Sequence, residues 1–471
     1  MKILLINIAL RPPPARKSLP VGLGYIASAM TRAGFSPDIL DLDANPQSEE
    51  ETEAFLKSNR YDVVAMGCIV TGYKYVKWLA RIVKDAHPDT VIIAGNTVAQ
   101  SIPRILLEKT SVDIGVMGEG DITMIELLRC LETGQDPRSV AGICYNKNGE
   151  LCFTATRSVV ANIDEIPPPD WSLFDIEVYI NSQSEAMHEY VPSSMKDDLR
   201  VIPINTARGC PFHCTFCYHV FQGERYRNRS PESIVKEMKH LNETFGINMF
   251  TFFDELTFHS IPQAARFADV LMASGLKVYW TADCRSALFH KDEHVGVAKK
   301  LKEAGCLWLG FALESADPDI LKWMDKKVGP EAFTRQVDIL KLAGLQAFTS
   351  IVIGYPNETP ATIRATIDCC IENGIYPSTG YLLPQPGSPM YKYALEHGFI
   401  KDEEEYLLAM GDRQDLRLNM TSMSDEEMEA VVVAELTRCS EELRLNLKAE
   451  KLIKTGHFRP SKGRRDKRED S

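Results

Sequence analysis

Residues 201–218 read Val201-Ile202-Pro203-Ile204-Asn205-Thr206-Ala207-Arg208-Gly209-Cys210-Pro211-Phe212-His213-Cys214-Thr215-Phe216-Cys217-Tyr218. Val201–Thr206 reads as a strand, and it feeds a loop with three thiols spaced C-x3-C-x2-C. Thiolates are the usual iron–sulfur ligands, so Cys210, Cys214 and Cys217 can hold three irons of a cubane [4Fe–4S] cluster. No fourth cysteine stands at short spacing, which leaves one iron open to a small molecule. Other readings remain at this point. A tetrahedral zinc site would draw on His213 or His219, and three unrelated thiols can simply be buried. A loop after a strand sits at the strand's carboxyl end, where barrel enzymes keep their chemistry.

Outward from this loop, the chain alternates strand and helix patterns in both directions. Downstream, Ser230-Pro231-Glu232 opens a helix with a capping serine and a proline at its first position. Met249–Phe253, Val278–Ala282, Trp308–Leu313, Ala347–Ile353 and Ile375–Leu383 read as further strands. Six strands with five intervening helices predict a partial TIM-type barrel, open on one side. Upstream, Lys2–Ala9, Asp38–Leu42, Val63–Gly67, Val91–Ala94 and Ile114–Val116 read as strands, several of them continuously apolar. Such runs suit parallel strands covered on both faces. Helical patterns over Val21–Ala33, Val76–Ala86 and Ile122–Glu132 complete a doubly wound, Rossmann-like α/β domain. Ligands of such sheets sit at the carboxyl ends of the strands, here at the glycine-bearing loops Thr71-Gly72, Gly95-Asn96 and Gly118-Glu119-Gly120.

The proline run Glu165–Trp171 marks a boundary. The expected order is an α/β domain over 1–145, a linker over 146–199 that folds over the active site, the barrel over 200–395, a helical segment over 396–458 and a basic, disordered tail over 459–471. Ser424-Asp425-Glu426-Glu427 reads as a capping box opening an amphipathic helix to about Lys454 that covers the barrel mouth. Twelve cysteines without framework spacing suit a reducing cytoplasm. A net charge of −12 argues against a phosphate-tracking surface, hence against a nucleic-acid partner. No apolar run is long enough to span a bilayer.

The cysteine loop closely resembles that of radical S-adenosylmethionine enzymes. Residues 1–145, through Leu19-Pro20-Val21-Gly22-Leu23-Gly24-Tyr25 and Val112–Asp121, resemble the cobalamin-binding domain that precedes many of them. The resemblance implies three cofactors: a [4Fe–4S] cluster, S-adenosylmethionine and cobalamin. It places Phe216 against the adenine, Asp254 and Glu255 toward the methionine amino group, and Arg285 toward its carboxylate. Glu314 falls near the ribose or amino group, and Gly354 along the adenosine. Cobalamin would meet Thr71, Gly72, Tyr73, Gly95, Asn96, Gly118, Glu119 and Gly120. Two departures stand out. The family's Gly-Gly-Glu text is absent, and the loop after the first strand, Ala9–Lys17, lacks the histidine that ligates cobalt in many cobalamin proteins. The reaction implied is cleavage of S-adenosylmethionine to a 5′-deoxyadenosyl radical, with methylation of an unactivated carbon in a small-molecule or lipid-like substrate. An external one-electron donor such as flavodoxin or ferredoxin would feed the cluster. Alternatives are oxidative cyclisation or ring rearrangement on the same architecture, a methylthiotransferase, and a cluster- or cobalamin-based sensor.

Overall fold

A computed structural model describes residues 1–11, 15–188 and 190–454; the tail expected at 459–471 lies outside them. The first domain runs β1 Ile3–Asn7, α1 Val21–Arg32, β2 Asp38–Asp41, α2 Glu49–Ser58, β3 Val63–Gly67, α3 Tyr73–Ala86, β4 Val91–Gly95, α4 Thr97–Ser101, α5 Pro103–Lys109, β5 Ile114–Val116 and α6 Gly120–Glu132. Five parallel strands lie in the order β2-β1-β3-β4-β5. Every residue of β1 is buried, as a strand with helices on both faces requires. A hairpin, β6 Ile143–Lys147 and β7 Glu150–Phe153, then extends the sheet antiparallel. The expected boundary at 145 therefore cuts through a strand. Its turn is Asn148-Gly149, with both residues at positive φ (+55° and +88°), the geometry of the tightest hairpin loop.

The linker contains α7 Ile176–Met187. Its second half closes the end of the barrel opposite to the one expected, while Val160 in its first half reaches Arg227. Met187, Val191 and Leu199 pack with Val201 and Met249, the first residues of two neighbouring strands of the barrel wall. Tyr190 meets Trp308 at a tilt and Phe348 edge-on, at ring centroids of 6.0 and 5.6 Å, plugging the amino end with aromatic rings.

The second domain runs β8 Val201–Ile204, β9 Ala207–Arg208, β10 Arg227–Asn228, α8 Pro231–Phe245, β11 Met249–Phe252, α9 Ile261–Ala273, β12 Tyr279–Asp283, α10 His294–Glu303, β13 Cys306–Gly310, α11 Pro318–Trp323, α12 Pro330–Ala343, β14 Gln346–Phe348, β15 Ser350–Ile353, α13 Pro360–Glu372 and β16 Ser378–Tyr381. Parallel strands follow the order β8-β11-β12-β13-β14, with β15-β16 as a separate pair. The fifth expected strand is split at Thr349, whose Oγ1 accepts from the Leu313 amide at 2.9 Å in place of a ladder bond. A bridge between Glu314 and Ile351 carries the wall past the break. Phe252 stacks on Trp280, and both meet Phe267 of α9. Strand alternation then turns Thr251, Phe253, Thr281 and Asp283 into the lumen.

The chain ends in α14 Pro389–Glu396, α15 Glu403–Ala409 and α16 Asp425–Glu442. Ser424 caps α16 by accepting from the Glu427 amide at 3.1 Å, but its hydroxyl turns to Glu426 rather than completing a capping box. This helix stops at Glu442, not near Lys454, and packs on α13 along the outer wall. Its first turn reaches the mouth end, where Met428 stands over Gly354. The preceding α15 reaches back to α3, where Glu404 pairs with Lys77 and accepts from Tyr73 at 3.1 Å.

Candidate active site

Residues 209–226 form one excursion between β9 and β10, which pair antiparallel and close its base. Gly209 turns the chain at φ +84°, and a Cβ there would press within 3.3 Å of Phe221. The excursion is tied to the barrel mouth at several points. Thr215 donates its amide to Met324 and its hydroxyl to the Trp323 carbonyl, and shares a 2.8 Å hydrogen bond with Tyr355. The Met390 amide donates back to the Thr215 carbonyl. The end of α11, the turn after β15 and the start of the helix over Pro389–Glu396 thus hold the middle of the thiol loop.

Burial raises the pKa of all three thiols. For Cys217, pushed up to about 12, the next causes are Cys214 and Cys210 themselves. Arg285 and Lys326 act the other way on Cys210 and Cys214. Mutually repelling thiols with two cations at hand suit a site where several metal atoms take the sulfur charge. Among the described residues, no three His, Cys, Asp or Glu side chains close on a point that a single ion could fill. Three thiols on one loop that raise one another's pKa, with Arg285 and Lys326 acting the other way, suit a cluster in which each thiolate binds its own iron.

The expected S-adenosylmethionine contacts separate on inspection. Arg285 lies 3.4 Å from the centroid of the Phe212 ring, and no carboxylate of the described residues pairs with it. Phe216 is half-buried against the core that holds Tyr355 and Met390. Glu255 uses one oxygen on the Gly209 amide at 3.2 Å. Asp254 is different. Its Oδ1 accepts the Thr206 and Ala207 amides at 2.7 and 3.0 Å, and its Oδ2 the Thr206 and Thr257 hydroxyls at 2.6 and 2.9 Å. A carboxylate offers about four acceptor sites, so none is left for an ammonium. Asp254 braces the thiol loop instead. Glu314 pairs with Lys326 at 3.1 Å, from a backbone at φ +63° that a non-glycine residue adopts only under constraint. One carboxylate escaped the sequence reading. Asp283 faces the lumen from the end of β12 with no hydrogen-bond donor among the described residues, and burial, then Asp254, pushes it up to about 6.

Gly354 sits at φ +117°, where a Cβ would come within 3.0 Å of Met428, so the turn after β15 excludes side chains. Its amide donates to Glu358 at 3.2 Å, as does the Thr362 hydroxyl. Burial raises Glu358 to about 7 from its usual 4.5. The folded chain thus holds this proton more tightly than the unfolded one. Its stabilising effect is complete below pH ~4.5 and is lost as pH rises through 7, with about 3 kcal/mol at stake. Denaturant titrations between pH 5 and 8 should show stability falling for the native chain. Glu358→Gln should flatten that slope, and parallel curves would contradict the assignment.

The carboxyl edge of the first sheet forms an open shelf. Among the described residues nothing lies within 4 Å of where a Cβ would stand at Gly67 or Gly118, and Gly67 is in register with Gly95. Leu10, Ile69 and Ile122 are exposed on the same edge despite being apolar. Asn96, at φ +69°, caps α4 beside it. A flat, glycine-floored shelf with apolar rims fits a planar macrocycle such as cobalamin. Gly118 and Asn96 stand at this edge together with Gly67, which reads in the sequence as the last residue of a strand, and Ile69, which carries no signal of its own there. Other expected contacts are corrected. Tyr73 is fully buried and bonded to Glu404. A Cβ at Gly72 would strike Cys68 at 2.1 Å, and one at Gly120 would strike Ile26 at 2.9 Å, so both glycines serve packing. Glu119 is engaged by Arg208 and Arg227. Thr71 is half-buried beside this edge.

Two family models match in tandem: the B12 binding domain over residues 15–128 and the Radical SAM superfamily over 204–370. The chain belongs to the cobalamin-binding radical S-adenosylmethionine enzymes. Its cofactors are accordingly a [4Fe–4S] cluster, S-adenosylmethionine and cobalamin. It is similar to an uncharacterized methyltransferase of Pyrococcus horikoshii, 29% identical with 85% of this chain and 84% of that one covered. It is also similar to the anaerobic magnesium-protoporphyrin IX monomethyl ester cyclase of Rubrivivax gelatinosus, 26% identical over 82% of this chain and 68% of that one. Among solved structures it shares its fold with the radical S-adenosylmethionine methyltransferase TsrM of Kitasatospora setae, at TM-score 0.65 and 18% identity over 84% and 75% of the two chains. No helix of the described residues is long and apolar enough to cross a membrane.

Proposed function

We propose that this radical S-adenosylmethionine enzyme methylates an unactivated carbon of a small-molecule or lipid-like substrate in the cytoplasm, with electrons from a flavodoxin or ferredoxin. The observation that carries the reading is the pairing of an open glycine shelf in one domain with a thiol loop in the next, joined by direct contacts between them. When bound, the cluster supplies the electron that splits the sulfonium homolytically, and the cobalamin carries the methyl group. The protein's residues bind, orient and exclude water. Cys210, Cys214 and Cys217 hold the cluster, while Asp254 and Gly209 fix the shape of their loop. Arg285, braced on Phe212 and in no ion pair among the described residues, would hold the methionine carboxylate. The second oxygen of Glu255 would take the ammonium, Phe216 the adenine, and the backbone at Gly354 the adenosine. Asp283, without a protein donor, accepts from a hydroxyl or N–H of the nucleoside or substrate. Gly67, Gly95, Asn96 and Gly118 floor the cobalamin site.

A second reading, oxidative ring closure, has specific support in the similarity to the Rubrivivax gelatinosus cyclase. Product analysis of anaerobically reconstituted enzyme separates the two. Methylation should yield 5′-deoxyadenosine and S-adenosylhomocysteine in equal amounts per methylated product. Deoxyadenosine without S-adenosylhomocysteine would favour cyclisation, and release of neither would overturn both.

A further inference from the structure

The thiol excursion begins and ends with an arginine. Arg208 of β9 and Arg227 of β10 are directly opposed in the ribbon that closes it, and like charges so placed repel. The first domain supplies the counter-charges. Glu119 Oε1 accepts from Arg208 Nη1 at 2.6 Å and from Arg227 Nη1 at 2.9 Å. Arg208 Nη1 also donates to Asp121 Oδ2 at 3.0 Å. Val160, in the linker, joins the same knot. Its amide donates to Glu119 Oε2 at 2.8 Å, and its carbonyl accepts from Arg227 Nη1 at 2.8 Å. Two cations and two anions balance, and none of the four side chains is more than 13% exposed.

Position gives the network its meaning. Glu119 and Asp121 flank the start of α6 and follow Gly118 of the shelf directly. The arginines flank the loop that bears Cys210, Cys214 and Cys217. Arg227 also lies over the ring of Phe221, inside that loop, and Arg208 over Tyr25 of α1. Buried ion pairs contribute little net stability compared with apolar packing, and their best-attested use is to fix register. Here the elements registered are the floor of one cofactor site and the base of the other.

We infer that Arg208, Arg227, Glu119 and Asp121 are positioning residues that hold the thiol loop in register with the cobalamin shelf, and so set the separation across which radical formation and methyl delivery are coupled. The inference rests on the two-cofactor reading, and its test has a readout independent of turnover. In anaerobic enzyme loaded with cob(II)alamin and reduced cluster, pulsed EPR reads the dipolar interaction between the two spins. The native chain should give a narrow distance distribution. Arg208→Met and the milder Asp121→Asn should broaden it, and should raise deoxyadenosine released per methylated product by tenfold or more. Arg208→Lys should restore most of the native distribution. Glu237→Gln breaks an equally buried pair, Arg229–Glu237, which stands beside Tyr25 and Arg208 but makes no ion pair to the first domain. It should cost stability without moving the distance. Unchanged distributions in Arg208→Met and Asp121→Asn, or the same broadening in Glu237→Gln, would overturn the inference. Native enzyme that gives a narrow distribution but no methylated product would instead count against methyl transfer and leave the register intact.

Discussion

Cys214→Ala is expected to strip the chain of iron and reduce deoxyadenosine formation by more than about 10⁴-fold, while cobalamin stays bound. The magnitude follows from where the chemistry resides. Homolysis of the sulfonium is supplied by the cofactor, and the protein contributes its site, so removing a ligand removes the catalysed route altogether. The selectivity follows from the architecture, because the glycine shelf lies in the other domain and uses none of the three thiols. Cys306 provides the contrast. It is buried in the barrel wall, and its pKa is raised chiefly by that burial, as expected of a packing thiol. Cys306→Ala should lower stability by about 1–2 kcal/mol for the lost packing, with iron content unchanged. Iron and cobalt analysis of the two variants, with deoxyadenosine assayed under reductant, decides the matter. Reductive cleavage persisting in Cys214→Ala would refute the assignment of the thiols.

What the sequence discloses tracks how local each signal is. The thiol spacing needs eight residues, and the buried strands need five, so both could be read directly. The hairpin was equally legible, since Asn148-Gly149 between two strand-like runs is the strongest short-range turn signal; a boundary placed at 145 hid it. Helix α2 carries Phe55 and Leu56 as its large apolar residues, too few for a period, yet its reciprocal cap between Ser48 and Glu51 was visible. Partners distant in sequence were not. Glu119 meets Arg208 across 89 residues and Tyr73 meets Glu404 across 331. Acidic and aromatic side chains in glycine-rich turns look like ligand groups until a fold supplies the residue that occupies them.

Asp254→Ala carries the second large effect, and it separates bracing from binding. If Asp254 held the methionine ammonium, its loss would weaken S-adenosylmethionine binding and leave the cluster in place. The observed hydrogen bonds require the opposite order of events. Truncation leaves the amides of Thr206 and Ala207 without their acceptor, just before Gly209 and the first thiol. Each unpaired donor costs about 1–3 kcal/mol in a partly buried setting, so a loss of about 2–5 kcal/mol is expected, concentrated in the thiol loop. Iron incorporation should fall before any effect on nucleoside affinity can be measured. Asp254→Asn should recover part of this, because one amide oxygen still accepts and the threonine hydroxyls can rotate to accept in turn. Glu255 supplies the complementary case. It commits one oxygen to Gly209, so Glu255→Gln should keep the cluster and raise the S-adenosylmethionine concentration needed for half-maximal change in the cluster's EPR signal. An Asp254→Ala chain with full iron and weakened nucleoside binding would return that carboxylate to the ligand set and leave the bracing of the loop to Gly209, Thr215 and the paired arginines at its base.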